Sequence, residues 1–396
     1  MHPYLGSIIR EERIRQDIKQ EVLCHKICTP SYLSKIESNQ ANPSDDILVL
    51  LFDRLDIKFI SDIPNNALQH LFDEISNCVL YEAYDSDLRK KFKNELHKFK
   101  YSKYYWEIYI HELLLSDTTH NELSSSLPNQ LQYHPFVSVW YSQTHINPDK
   151  IDEAIRRLLL SQGQDDTGIV DFSLAQSYFY AGEFDKSYDC AQRSLSTFAS
   201  LGNIRMMMYA HFQMGNTIIY SSFAKALSHF ESCRRIAKIC DDSQIISDLD
   251  YNLSADYLDL YFKYENIDDL LKAQNLILSA YTSSSKNSLY HFEKIILIHL
   301  YLNDYDSAAS YFEKMKLTDD TWKGIAEYHA LEYAISHSAF YLDRGYADLI
   351  ESILDLNLKS NIYTRAIFIQ NMLIFIYKKQ KRYKRALTLT NFPSNH

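Results

Sequence analysis

No proline interrupts the chain between Pro148 and Pro393, and only eight glycines are spread over all 396 residues. Proline breaks helix interiors, and strands need frequent turns rich in Gly and Pro. A run of this length and composition therefore reads as helix after helix joined by short polar turns. Hydrophobic residues make up 46% of the chain and charged residues 23%, the usage of a packed protein rather than a disordered one. One compact core rarely serves a chain this long, which predicts two domains or a small domain joined to an extended solenoid. No apolar run reaches membrane-spanning length, and residues 1–25 lack the apolar stretch of a secretion signal, so a cytoplasmic protein with no membrane partner is expected. The six cysteines form no CxxC pair; buried thiols are expected, with no disulfide and no metal site.

The first sixty residues carry the sharpest local pattern. In LGSIIREERIRQ, Leu5, Ile8 and Ile9 lie with Glu12 along one helical face. A second helix follows in KQEVLCHKI, with Val22, Leu23 and Ile27 at helical spacing. Cys28-Thr29-Pro30 then reads as a tight turn in which Thr29 is an N-cap and Pro30 the first residue of a third helix. In that helix, PSYLSKIESN, Leu33 and Ile36 face inward while Ser31, Tyr32, Ser34 and Lys35 project out.

These residues resemble the repressor-like helix-turn-helix domain of phage repressors and many bacterial regulators. The likeness is carried by the run from Gln20 to Ile27, by SYLSKIESNQANPS from Ser31 to Ser44, and by the apolar ILVLLFDRLDI from Ile47 to Ile57. It departs from the family at the turn before helix three, which is one residue short and has Cys28 where glycine is usual. The resemblance implies that Gln20 steadies a DNA phosphate, and that Ser31, Tyr32 and Lys35 meet base edges in the major groove. Thr29 to Ser31, at the helix start, adds backbone donors for phosphate. It also implies a structural salt bridge between Arg13 and Glu37. Residues 1–58 hold eight Lys or Arg against nine Asp or Glu, a net of −1 on a chain of −10, so attraction to random DNA should be weak.

FISDIPNN, residues 59–66, reads as a segment joining two domains, with the head at 1–62, a linker at 63–66 and a repeat domain at 67–396. Beyond it a short motif recurs: an aromatic residue or Ile, two polar residues, a small or apolar residue, then an apolar residue about four later. It occurs at IDEAIRRL, FDKSYDCA, FAKALSHF, IDDLLKAQ, YDSAASYF, YADLIESI and YKRALTLT, with fourth-position anchors Ala154, Ser187, Ala226, Leu270, Ala308, Leu349 and Ala386. Anchors spaced 33 to 44 residues apart, with two helices per unit, are the signature of a solenoid. The units resemble tetratricopeptide repeats, most clearly where Ala175, Tyr178, Gly182, Phe184 and Ala191 fall on consensus places. The expected fold is thus all-α, a helix-turn-helix domain followed by a right-handed tetratricopeptide-like α-solenoid.

Such a stack has a concave face lined by the first helix of each unit. Counting along the consensus places Gln176, Asn216, Asn252 and Asn371 inward, where amides offer a peptide backbone both a donor and an acceptor. Phe179, Tyr209 and Phe212 are expected to supply apolar pockets between them. Signatures of catalysis are missing: Gly163 and Gly168 are followed by Ile169 and Val170 where a phosphate loop needs Lys and Ser or Thr, and there is no HExxH or GxSxG. His111-Glu112 reads as a surface pair. The expectation is a protein with no catalytic residues and no cofactor.

In combination, the short-turn head and the repeats resemble the Rgg, PlcR, PrgX and NprR group of peptide-sensing transcription regulators. That resemblance implies a homodimer that binds an inverted-repeat operator in double-stranded DNA and a short signalling peptide on its repeats. Two other classes fit the same sequence: a phage or plasmid repressor whose repeats only oligomerise, and a scaffold whose repeats dock a protein partner without a peptide ligand.

Overall fold

The structure is a computed structural model that describes residues 5–60, 63, 65–81, 86–115, 131–145, 149–283, 289–318, 320–360 and 362–390. Within them lie 21 α-helices and no strand, and none of these helices is long and apolar enough to cross a membrane. Pro64, in the expected linker, lies outside the described residues. The chain forms two compact units, residues 1–145 with 153–173, and residues 146–152 with 174–396.

The first unit opens with α1 (Leu5–Arg15), α2 (Gln20–Cys24), α3 (Pro30–Glu37) and α4 (Asp45–Arg54). Leu5, Ile9, Leu23, Leu33, Leu48 and Phe52 converge from all four into one core. A Cβ on Gly6 would lie 1.6 Å from the Ile36 carbonyl oxygen, so α1 crosses α3 at a distance that only glycine allows. After these come α5 (Asn65–Tyr81), α6 (Ser86–His97), α7 (Tyr105–Leu114), α8 (Pro135–Thr144) and α9 (Ile151–Ser161). The head does not end as a packing unit at residue 62. Phe52 stacks on Phe59 at 5.0 Å, and Trp106, Ile110, Val137, Trp140 and Ala154 belong to the same core as Leu33 and Phe52. A sequence boundary drawn at a polar, Pro-containing segment cannot register apolar surface that is covered only some fifty residues later. His111 also departs from the expected surface pair: it stacks on Phe72 at 4.2 Å, and burial pulls its imidazole pKa down to about 4.

The second unit is built from paired helices. After α10 (Ile169–Tyr180) come α11 (Phe184–Ser200), α12 (Ile204–Ile218), α13 (Phe223–Ile239), α14 (Ser243–Tyr264) and α15 (Ile267–Ser283). These are followed by α16 (Leu289–Tyr301), α17 (Tyr305–Thr318), α18 (Ala326–Ser336), α19 (Arg344–Lys359), α20 (Tyr363–Lys379) and α21 (Tyr383–Thr390). Neighbours in sequence pack on one another, and first helices also meet, α14 with α16 and α20 and α16 with α18. Buried residues run almost unbroken along α16 and α20, whereas α13 and α17 bury a single stripe. First helices therefore lie inside this unit and second helices outside.

The repeat anchors explain the register. Ala154, Ser187, Ala226, Leu270, Ala308 and Ala386 are each the fourth residue of their helix, and all are buried. There the side chain turns back onto the preceding helix, which favours a small residue. Ser187 meets the demand differently: its hydroxyl donates to the Ala175 carbonyl at 2.7 Å and lies 3.1 Å from Thr217 Oγ1. Leu349 does not hold the place that the repeat spacing predicts for it. Because α19 begins at Arg344, its fourth residue is Ala347, fully buried, and Leu349 is only half-buried. Tyr346 imitates the motif's opening aromatic two residues late. With Ala347 in place, the last two spacings become 39 and 39.

Candidate functional site

Two groups of polar side chains stand out, one on the head and one inside the repeats. On the head, Thr29 caps α3, its hydroxyl accepting from the Tyr32 backbone N–H at 3.2 Å, and Pro30 occupies the first turn. Leu33 and Ile36 are buried, while Ser31, Ser34 and Lys35 are exposed and Tyr32 is half-buried. The outer face expected of α3 is present, with four polar side chains on a helix braced from behind.

Bracing comes from a buried carboxylate. Glu37, at the end of α3, accepts from Arg13 Nε at 2.6 Å and from Arg13 Nη2 at 3.0 Å. Arg13 also donates to the Ile18 carbonyl at 2.9 Å, and its hydrogen bond to Glu37 raises its pKa. The pair expected from the sequence is therefore present. Gln20 has a tie that the sequence did not predict: its amide nitrogen donates to Glu37 Oε2 at 2.7 Å, which braces α2 against α3. An open cleft of about 630 Å³ borders it, lined by Arg10, Arg13, Lys19 and Ser34.

The turn between α2 and α3 also departs from the sequence reading. Lys26 takes the left-handed conformation, with φ 59°, and α2 ends at Cys24, short of Ile27, leaving Val22 exposed. Arg54 reaches from α4 to donate to the carbonyls of Leu23, at 3.1 Å, and His25. It satisfies acceptors that so short a helix leaves open.

Inside the repeats, Asn216 on α12 and Asn252 on α14 are brought together, Asn252 Nδ2 donating to Asn216 Oδ1 at 3.0 Å. Asn371 on α20 is elsewhere, donating to Asp259 Oδ2 at 3.1 Å where α20 crosses α14. Gln176 is half-buried on α10. The three aromatics, all half-buried, make contacts between helices. Phe179 lies against Phe184 across the α10–α11 turn, Phe212 against Phe230 of α13, and the Tyr209 hydroxyl donates to Asp242 at 3.4 Å. These contacts tie α10 to α11, α12 to α13 and α12 to the start of α14.

Charged residues missed in the sequence share that inner face. From Asn252, Asp256, Asp259 and Lys263 follow at helical spacing on α14, and with Tyr220 and Phe223 they line a cavity of about 180 Å³. Burial pushes the Asp259 carboxyl up to about 7, and its Oδ1 has no hydrogen-bond partner. Lys294 of α16 is buried 3.5 Å over the Tyr251 ring, and desolvation lowers it to about 7. Beside it Glu293 pairs with Arg365 of α20. The signal was available: Glu293-Lys294 stand in an otherwise apolar helix, and Asp256 and Asp259 continue the face of Asn252.

Fold and sites together define a helix-turn-helix head joined to a stack of helix pairs whose inner face is polar. Residues 9–60 match the family model described as Helix-turn-helix, the class of domain that regulators use to bind DNA. Among solved structures, a Rap protein complexed with Competence and Sporulation Factor shares the fold at a TM-score of 0.63 and 14% identity, over 83% of this chain and 96% of that one. The apo quorum sensor NprR from B. thuringiensis does so at 0.55 and 16%, over 83% and 97%. The apo form of RapI follows at 0.51 and 14%, over 82% and 98%. No curated protein matches the sequence.

Proposed function

We propose that the chain is a peptide-responsive transcription regulator that reads duplex DNA with α3 and is controlled by a short peptide on the inner face of its repeats. The observation that carries the DNA half is α3 itself, with Ser31, Tyr32, Ser34 and Lys35 outward on a helix capped by Thr29 and tied through Glu37 to Arg13 and Gln20. Held this way, a short side chain can reach a base edge without first paying to order its own helix. Tyr32→Ala with Lys35→Ala should weaken specific operator binding by about 1 to 3 kcal/mol per lost base contact and leave the melting temperature unchanged. Gel-shift titration against operator fragments is the check, and unchanged affinity in the double variant sinks the reading.

Support for the peptide half comes from the paired amides and from the Rap structure of the same fold, which is complexed with Competence and Sporulation Factor. Asn252 donates to Asn216, and a peptide group, which offers both a donor and an acceptor, can take over that bond with an equivalent one. Asn216→Ala is expected to weaken peptide binding five- to a hundredfold, the worth of about 1 to 3 kcal/mol, while sparing DNA binding by the free protein. Calorimetry with synthetic candidate peptides measures this, and wild-type affinity in both Asn216→Ala and Asn371→Ala places the site elsewhere. The functional form is proposed to be a homodimer on an inverted-repeat operator, since one small head buries too little DNA for tight recognition. A monomer by light scattering, free and on DNA, would exclude this.

A further inference from the structure

Residues 86–103 run against the charge of the chain. They hold seven Lys or Arg against Asp87 and Glu95, a net of +5 in a protein of −10. On α6 the charge is sorted by face. Leu88, Phe92 and Leu96 turn inward to a core with Phe72 and Ile108, and Lys90, Lys91, Asn94, His97 and Lys98 are exposed. That outward set follows i, i+1, i+4, i+7, i+8 and spans roughly 12 Å of helix, the axial run of three or four phosphates on one DNA strand. Within reach, the offsetting acids are Asp87, exposed one turn before Lys90 and Lys91, Glu95, which pairs with Lys98 at 2.6 Å, and Glu112, close to Lys93, His97 and Lys100.

The end of this basic segment is fastened to the helix-turn-helix. Ile60 N–H donates to the Tyr101 carbonyl at 2.8 Å and Ile60 bridges Ser102. The Tyr101 hydroxyl donates to Glu12 of α1 at 3.2 Å, and its ring lies 6.2 Å from that of Phe52 on α4. The head, at −1 over residues 1–58, has little positive charge of its own with which to displace counterions from DNA. The basic residues of 86–103 lie in the same compact unit as the head.

We propose that the outer face of α6 and the turn that follows it, through Lys90, Lys91 and Lys98, bind the phosphate backbone of duplex DNA and provide much of the chain's sequence-independent affinity. The proposal rests on the head binding DNA, as argued above. Its test uses the full chain and a short random-sequence duplex, followed by fluorescence anisotropy between about 50 and 200 mM salt, the range over which counterion release is read. The variant Lys90→Gln/Lys91→Gln/Lys98→Gln should lower the slope of log affinity against log salt by about 2 to 3, near 0.9 per phosphate contact, and weaken low-salt binding by roughly tenfold or more. Replacing the same three residues by arginine should keep the wild-type slope, which separates lost charge from lost folding. Wild-type slope and affinity in the glutamine variant, with reduced affinity in Lys35→Ala, overturn this proposal and leave the DNA reading standing. Wild-type chain with no affinity for the duplex overturns both. Loss of binding to phosphatidylserine vesicles without change on DNA would reassign the face to a membrane and overturn the proposal as well.

Discussion

Lys26 holds the turn of the helix-turn-helix in a conformation that costs an L-residue about 1 to 2 kcal/mol. Lys26→Gly removes that strain at some cost in unfolded-chain entropy. The expected outcome is a protein as stable as the wild type or more stable by up to about 1 kcal/mol, read by thermal denaturation; a clear loss would mean that the lysine side chain contributes packing that the backbone strain conceals. His111 carries a prediction in pH. Its pKa is about 4 in the fold against an ordinary 6.5, so between those values the unfolded chain binds the proton that the folded one refuses. Stability from this group is full above pH 6.5 and falls as the pH drops toward 4, by at most about 3 kcal/mol. His111→Phe keeps a ring against Phe72 and has no proton to refuse, so its acid limb should be flatter than that of the wild type in denaturant titrations from pH 7 to 4. Equal slopes would show that other groups govern the acid response.

At the scale of elements, the contact between α11 and its neighbours rests on a polar set where most repeats use alanine. Ser187 donates to Ala175 of α10, and Gln213 and Thr217 of α12 close the network around its hydroxyl. Ser187→Ala restores the common residue yet leaves the buried Gln213 amide short of an acceptor, and should destabilise by about 1 to 2 kcal/mol. A melting temperature equal to wild type would show that Thr217 alone satisfies Gln213. The crossing of α14 and α20 is a second such element. Phe262 packs on Phe368 and Phe375 there, and Asn371 and Lys379 reach Asp259 and Glu265. Asn371 therefore has a structural duty in the free chain beside its proposed one. Asn371→Ala should lower stability measurably, whereas Asn216→Ala, removing one half-buried amide pair, should change it little.

At the scale of the whole molecule, the head's core runs well beyond the sequence that identifies it. Trp106, Ile110, Val137 and Trp140 are buried in the same core as Phe52 and Phe59. A fragment of residues 1–62 lacks them and exposes those rings, while a fragment of residues 1–173 retains them. The shorter fragment should melt at least about 10 °C below the longer one, if it folds at all, since a core of this size is already marginal. Equal melting temperatures by circular dichroism would show that the head is self-sufficient and the added helices are merely attached.

Much of this was legible in the sequence because it is local. The Thr29-Pro30 start of α3, the inward Leu33 and Ile36, and the fourth-position anchors depend on caps, periodicity and helix starts, which neighbouring residues set by themselves. Even the misplaced anchor at Leu349 failed locally, through an aromatic two residues out of step with the true helix start at Arg344. The tertiary structure alone decided who satisfies whom. Gln20 donates to Glu37, seventeen residues away, and Asn371 meets Asp259, 112 residues away, because those partners are set by which helices cross and at what depth. The same holds for Lys294 and Glu293, charged residues that are buried where α14, α16 and α20 converge. A side chain's chemistry is written at its own position, but its burial and its partner belong to the packing of helices that the chain brings together from far apart.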